Sequence, residues 1–284
     1  MTVLPTAGGS TARGFDVNKG WVVVGDSLEQ GDQTSHAVSW NTDGTITDWG
    51  APLGGTNSGL FGIDDKGYMA GWSYLQGNSA FHAMAIANGQ AQDLGTLGGT
   101  NSVATDINNL GQTVGASEYT NGSMDDHAFV GAFSGPPRRT AESPASAATY
   151  TMKDLGTLGG ATSVAVSISN KGVIVGQSNP KGSMNNHAFR YAKGTMKDLG
   201  TLGGPQSNAQ DVNDWGQVVG SAQIAGGGYH AFLWTRGHMI DLNMYLPKGS
   251  GWVLTGAFGI SNKNVIVGQG NFGGKMLGFV MHLA

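Results

Sequence analysis

Apolar positions along this chain come in short runs broken by glycine and polar residues, with no helical periodicity, and the pattern repeats about every forty-five residues. Each copy predicts four short strands. Strand a follows Ser-x-Ala-x-Asp-Ile-Asn, as in Ser102 to Asn108. Strand b follows Gly-x-x-Val-Gly, as in Gly216 to Gly220. Strand c follows His-Ala-Phe-Leu-Trp, as in His230 to Trp234, and strand d follows Met-x-Asp-Leu, as in Met239 to Leu242. Glycine or asparagine closes the a–b turns, including Asn264 in the sixth copy, and Gly89, Gly194 and Gly237 mark c–d turns. These residues suit left-handed positions in tight hairpins.

The copies are in strict register. Asp93-Leu-Gly-Thr-Leu-Gly-Gly99 returns at Asp154 to Gly160 and at Asp198 to Gly204, with weaker forms from Asp48 and Asp241. Gly9 to Gly25, Gly55 to Gly71, Gly99 to Gly115, Gly160 to Gly176 and Gly204 to Gly220 each span sixteen residues, and Trp252 opens a sixth copy that ends at Gly268. Repeats of this length made of meandering strands predict an all-β, six-bladed β-propeller with four-stranded antiparallel blades, one domain over residues 1–284. The sixth copy runs out after strand c. Met1 to Gly9 aligns with Met152 to Gly160, so Met1 to Leu4 is expected to supply the missing outer strand and close the ring by covering an open edge. A Pro-, Ser- and Ala-rich stretch, Gly135 to Ala148, reads as an inserted loop between strands c and d of the third copy.

The motifs His127-Ala-Phe129, His187-Ala-Phe189 and His230-Ala-Phe232, with variants at His36 and His82 and a last copy at Leu277-Gly-Phe279, resemble the HAF-repeat family of extracellular repeat proteins over nearly the whole chain. That resemblance implies a propeller in an exported protein, extracellular or periplasmic, and it supplies no catalytic residues. No signal peptide is legible at Met1 to Ser10.

Composition narrows the chemistry. Forty-nine glycines and 12% charged residues suit an all-β protein with many turns, and a net charge of −4 lacks the basic stripe that nucleic acid requires. No apolar run is long enough for a membrane-spanning helix. Cysteine is absent, which excludes thiolate sites and disulfides. Nucleophile-elbow, zinc-protease and phosphate-loop motifs are absent, and no cofactor is expected. Ser123 to Asp126 and Ser183 to Asn186 offer too few carboxylates for calcium and read as solvated loops.

The repeated histidines His36, His82, His127, His187 and His230 lie on successive third strands, too far apart to share a metal, so no metal site is expected. They are expected to pair within each blade with Asp48, Asp93, Asp154, Asp198 and Asp241. The expected register sets His230 directly opposite Asp241, Phe232 opposite Met239, and Thr235-Arg236 at the hairpin tip. In the sixth copy both partners vanish together, as Leu277 and Val3.

The b–c loops differ from copy to copy, unlike the d–a loops, and unique sites on symmetric scaffolds arise in such loops. The predicted function is therefore a binding module for a glycan or protein on the b–c face, with Arg13, Trp72, Tyr74, Glu118, Tyr119 and Tyr229 as ligand-binding candidates. The alternative is a glycan-active hydrolase or lyase at the same face. It would need two facing carboxyls about 5–9.5 Å apart, for which Glu29 and Glu118, two copies apart, are the candidates.

Overall fold

The computed structural model describes residues 3–120, 125–134 and 149–283. The expected insertion at 135–148 lies outside them. The chain falls into two compact units, Met1–Asp154 and Leu155–Ala284.

The first unit holds three antiparallel meanders: β1 (Gly8–Val17), β2 (Val23–Glu29), β3 (Ser35–Trp40) and β4 (Ile46–Asp48); β5 (Gly54–Ile63), β6 (Met69–Leu75), β7 (Phe81–Ala87) and β8 (Gln90–Asp93); β9 (Ser102–Ile107), β10 (Gln112–Glu118), β11 (Asp126–Ser134) and β12 (Thr149–Asp154). The second unit holds β13 (Gly159–Ile168), β14 (Ile174–Pro180), β15 (His187–Ala192) and β16 (Thr195–Asp198); then β17 (Gly203–Val212), β18 (Val218–Ile224), β19 (Tyr229–Thr235) and β20 (His238–Asp241); then β21 (Trp252–Ile260), β22 (Val265–Phe272) and β23 (Lys275–His282). These realise strands a to d of the first five copies and strands a to c of the sixth.

Each repeated glycine answers a close approach. In β2, β6, β10, β14, β18 and β22 the glycine of Val-Gly or Ala-Gly faces a bulge in strand a. A Cβ on Gly115 would overlap the carbonyl oxygen of Val103, and the other five glycines meet the equivalent carbonyl. The second glycine of each Gly-Gly lies under strand b, so a Cβ on Gly99 would overlap Glu118 and one on Gly160 would overlap Asn179.

The core lies between successive sheets. Val24 and Ala37 of the first sheet pack with Leu60, Met84 and Ile86 of the second. Ala83 of the second packs with Ala104 and Phe129 of the third. The second unit repeats this with Val175 and Ala188 against Ala209 and Phe232. The Ala and Phe of each His-Ala-Phe are fully buried. A hydrogen-bonded latch accompanies this packing. Ser102 Oγ accepts from the Ala83 amide of the preceding sheet at 2.8 Å and donates to the Gly95 carbonyl at 2.5 Å. Ser58 repeats the pattern on Ala37 and Gly50, and Ser207 on Ala188 and Gly200.

A second joint runs along strand a, where the column reads Asp16, Gly62, Asp106, Ser167, Asp211, Gly259. Asp16 accepts the Ile63 amide of the following sheet. Asp211 accepts the Ile260 amide of the following sheet and the Ser167 hydroxyl of the preceding one. Burial raises the Asp211 carboxyl above the usual range, against these donors. Acids thus alternate with small residues, and Asp16 and Asp211 each bond a neighbouring sheet.

Two expectations need correction. Among the described residues the sixth sheet has three strands and Val3 and Leu4 lie in no strand, so the described half of the outer strand expected at Met1 to Leu4 is not formed; Met1 and Thr2 lie outside the described residues. The segment is held on the first sheet instead: the Pro5 carbonyl accepts the Trp40 indole N–H at 2.7 Å, and the Ala7 amide donates to Ser27 Oγ at 2.8 Å. The Leu97 and Leu158 amides make the same bond to Ser117 and Ser178, so the repeat alignment of this segment stands. The c–d register also differs, by two residues. Phe232 faces Asp241, Trp234 faces Met239, and Thr235 faces His238. The tip is Arg236-Gly237, both at positive φ (50° and 90°), which is the two-residue turn that matches strand twist.

Candidate functional site

The five His–Asp pairs form despite that shift. Nδ1 of His36, His82, His127, His187 and His230 lies 2.6–3.0 Å from a carboxylate oxygen of Asp48, Asp93, Asp154, Asp198 and Asp241. The partners are diagonal neighbours on one sheet face, within reach because the imidazole is long. The same carboxylates cap the turn after strand d: Asp93 also accepts the Gly95 amide, Asp198 the Gly200 amide and Asp48 the Gly50 amide. These bonds join the c–d hairpin to the turn that leads into the next sheet.

In the first sheet a third group joins. Glu29 Oε1 and Asp48 Oδ1 both lie 3.0 Å from His36 Nδ1, and the three ligand atoms fall within 4.8 Å of one another. Sequence reasoning separated these residues into different classes and missed the cluster. The ring nitrogen serves the two carboxylates, and a divalent ion would have to take it from them.

The predicted ligand residues meet different fates. Arg13 in β1 makes a two-pronged ion pair with Asp26 in β2, Nε–Oδ1 2.9 Å and Nη2–Oδ2 2.5 Å, and lies over Phe15. Trp72 and Tyr74 in β6 are half-buried and pack edge-to-face with each other and with Phe81, a member the sequence reading did not include. Trp72 covers its cross-strand partner Gly59, where a Cβ would lie 3.0 Å from the indole nitrogen. Glu118 accepts from the Asn101 side chain at 2.6 Å and from the Thr100 amide at 2.8 Å, clamping the d–a loop. The Asn101 bond, foremost, lowers its carboxyl below the usual range. Tyr119 is 46% exposed and stacks on His127, ring centroids 4.4 Å apart. In the second unit Tyr229 donates to Gln206 at 2.6 Å, and Gln206 donates to Asn185 at 3.0 Å.

Of the candidate acids, Glu29 also accepts from the Thr34 hydroxyl. Asp126, opposite Glu118 across β10 and β11, has its carboxyl raised, first by burial and then by the charges of Glu118 and Asp125. Glu118 and Asp126 are therefore pushed in opposite directions. The loop at 183–186 is held by Asn179, which donates to Asn186 and to the Met184 carbonyl.

No family model matches this chain, and no curated protein matches it. Among solved structures it is similar to TolB from Acinetobacter baumannii, with 12% identity and a TM-score of 0.52, over 92% of this chain and 61% of that one. The β-propeller domain of the Trilobed protease from Pyrococcus furiosus aligns at 10% identity and a TM-score of 0.42, over 95% and 92% of the two chains. The chain thus spans less than two thirds of the TolB chain. Among the described residues no helix is long and apolar enough to cross a membrane. With six meander sheets and this likeness of fold, the chain is an all-β, six-bladed β-propeller.

Proposed function

We propose that this chain is a binding module outside the cytoplasm, with a glycan or protein ligand held at the b–c ends of its sheets. One observation carries this reading: at the b–c end of the third sheet the Tyr119 ring is exposed yet immobilised, stacked on His127, which Asp154 fixes in turn. A rigid amphipathic ring offers binding area at little entropic cost. The neighbouring polar groups support binding over catalysis, because Glu118, Glu29, Arg13 and the repeated histidines each have partners within the scaffold. Resemblance to HAF-repeat sequences supports export, and the net charge of −4 argues against nucleic acid as partner.

A hydrolase or lyase is the second reading, favoured by the opposite shifts of Glu118 and Asp126. One experiment separates the two: a glycan array with mass-spectrometric detection of products. Binding without cleavage is expected. Tyr119→Ala should weaken that binding about tenfold, with Trp72→Ala second in effect. Product that disappears in Asp126→Asn would establish the enzyme reading instead, and undiminished binding by Tyr119→Ala would remove the proposed site.

A further inference from the structure

The second unit carries a groove at the other end of its strands, where a–b and c–d turns meet. One part, a cavity of about 590 Å³, is lined by Arg190, Trp215, Gln217, Trp234, Arg236 and Asn264. A second cavity of about 720 Å³ shares Gln217, Arg236 and Asn264 and continues to His238, Tyr245 and His282. Neither lining contains a carboxylate.

The cationic side holds a partly buried guanidinium. Arg190, in β15, leans on the next sheet: its guanidinium lies 5.8 Å from the Trp234 ring, and Nη2 is 3.0 Å from where a Cβ on Gly216 would be. Its Nε is buried without an acceptor, and Arg190 has no ion pair among the described residues. Lys197, opposite Arg190 on β16, lies 5.5 Å from the same indole. Arg13, by contrast, has Asp26. Burial lowers the Arg190 pKa, the direction expected of a cation with no counter-charge.

The aromatic side is fixed. Trp215 is 73% exposed, yet its indole N–H donates to the Asn262 carbonyl at 3.0 Å, which holds the ring at the groove's edge. Gln217 is positioned by Asn213, which donates to its Oε1 at 2.6 Å.

We propose that this groove binds an acidic oligosaccharide, a chain of carboxylate-bearing sugars. Trp215 stacks on a sugar ring, Arg190 and Arg236 take carboxylates, and the Gln217 and Asn264 amides take hydroxyls. Two adjoining cavities sharing one wall suit a chain longer than a monosaccharide. The site is separate from the b–c ends and does not rest on the function proposed for them.

The test is titration of the intact protein with oligogalacturonate, followed by calorimetry and by tryptophan fluorescence. A neutral oligosaccharide of equal length and oligoglutamate serve as comparators. Saturable binding of the uronate is expected, weakened by salt and absent for the neutral chain. Trp215→Ala, at an exposed position that leaves the fold intact, should reduce affinity about tenfold, as should Arg190→Gln. Tyr119→Ala should leave uronate binding unchanged, which distinguishes this groove from the b–c site. Absence of uronate binding, equal binding by Trp215→Ala, or equally tight binding of oligoglutamate would overturn the proposal, the last by showing an acidic-peptide site.

Discussion

At the joint between the second and third sheets, the Ser102 hydroxyl accepts a hydrogen bond from the Ala83 amide and donates one to the Gly95 carbonyl; at the b–c rim of the same unit, Arg13 meets Asp26 in a pair that no other copy contains. The joint is the same in successive copies because the serine hydroxyl bridges two backbone groups whose positions the repeat itself sets. The rim varies because its contacts are between side chains that change from copy to copy. Where the first sheet sets Arg13 against Asp26, the second sets Gly59 against Trp72, the third Val103 against Ala116 and the fourth Val164 against Gln177. Each is a locally complementary solution to one gap. Joints specify the fold, and rims are free to acquire ligands.

The comparison breaks first if a joint glycine tolerates a methyl group. Gly115→Ala drives a Cβ into the Val103 carbonyl, where backbone, not a flexible side chain, is the obstacle. It should cost about 3 kcal/mol or more. Gln177→Ala, at the adjoining rim column of the fourth sheet, should stay within about 0.5 kcal/mol. Urea denaturation midpoints of the two variants decide the matter, and comparable losses would erase the distinction. Next in size is the latch. Ser102→Ala leaves the buried Ala83 amide without its acceptor and should cost about 2 kcal/mol, with neighbouring Val103→Ala as the packing control.

The joints were largely legible in sequence, since Gly, Ser, Ala and Phe recur at fixed offsets and only a repeated structural demand enforces that. The reason for each was not: the Gly115 requirement comes from a bulge in the facing strand, which no local pattern displays. The His–Asp partners were legible from their joint disappearance in the sixth copy. Their register was misread because opposition was assumed where a diagonal contact across the Arg236-Gly237 turn suffices. The rims resist reading for the opposite reason. Trp72, Tyr74 and Phe81 belong to two strands and become one cluster only when these pair. The groove around Trp215 draws on turns and strands of three sheets, and no offset in the chain links Arg190 to Trp234.

The smallest expected effect tests whether rim pairs are interchangeable units. Asp26 is nearly buried, with 12% of its side chain exposed, whereas the Arg13 side chain is 68% exposed. Removing the arginine therefore strands a poorly hydrated carboxylate, but removing the aspartate leaves a cation that water can solvate. Arg13→Val should cost about 1 kcal/mol and Asp26→Ala less, the solvent around Arg13 moderating both. The third sheet fills the same two cross-strand positions with Val103 and Ala116. The double variant Arg13→Val with Asp26→Ala transplants that pair and removes the stranded charge, so it should recover to within about 0.5 kcal/mol of the parent. Thermal melts of the parent, both single variants and the double variant complete the cycle. Additive losses would show that Arg13 and Asp26 are not coupled and that each acts through contacts other than the ion pair, which would overturn the idea of an interchangeable unit.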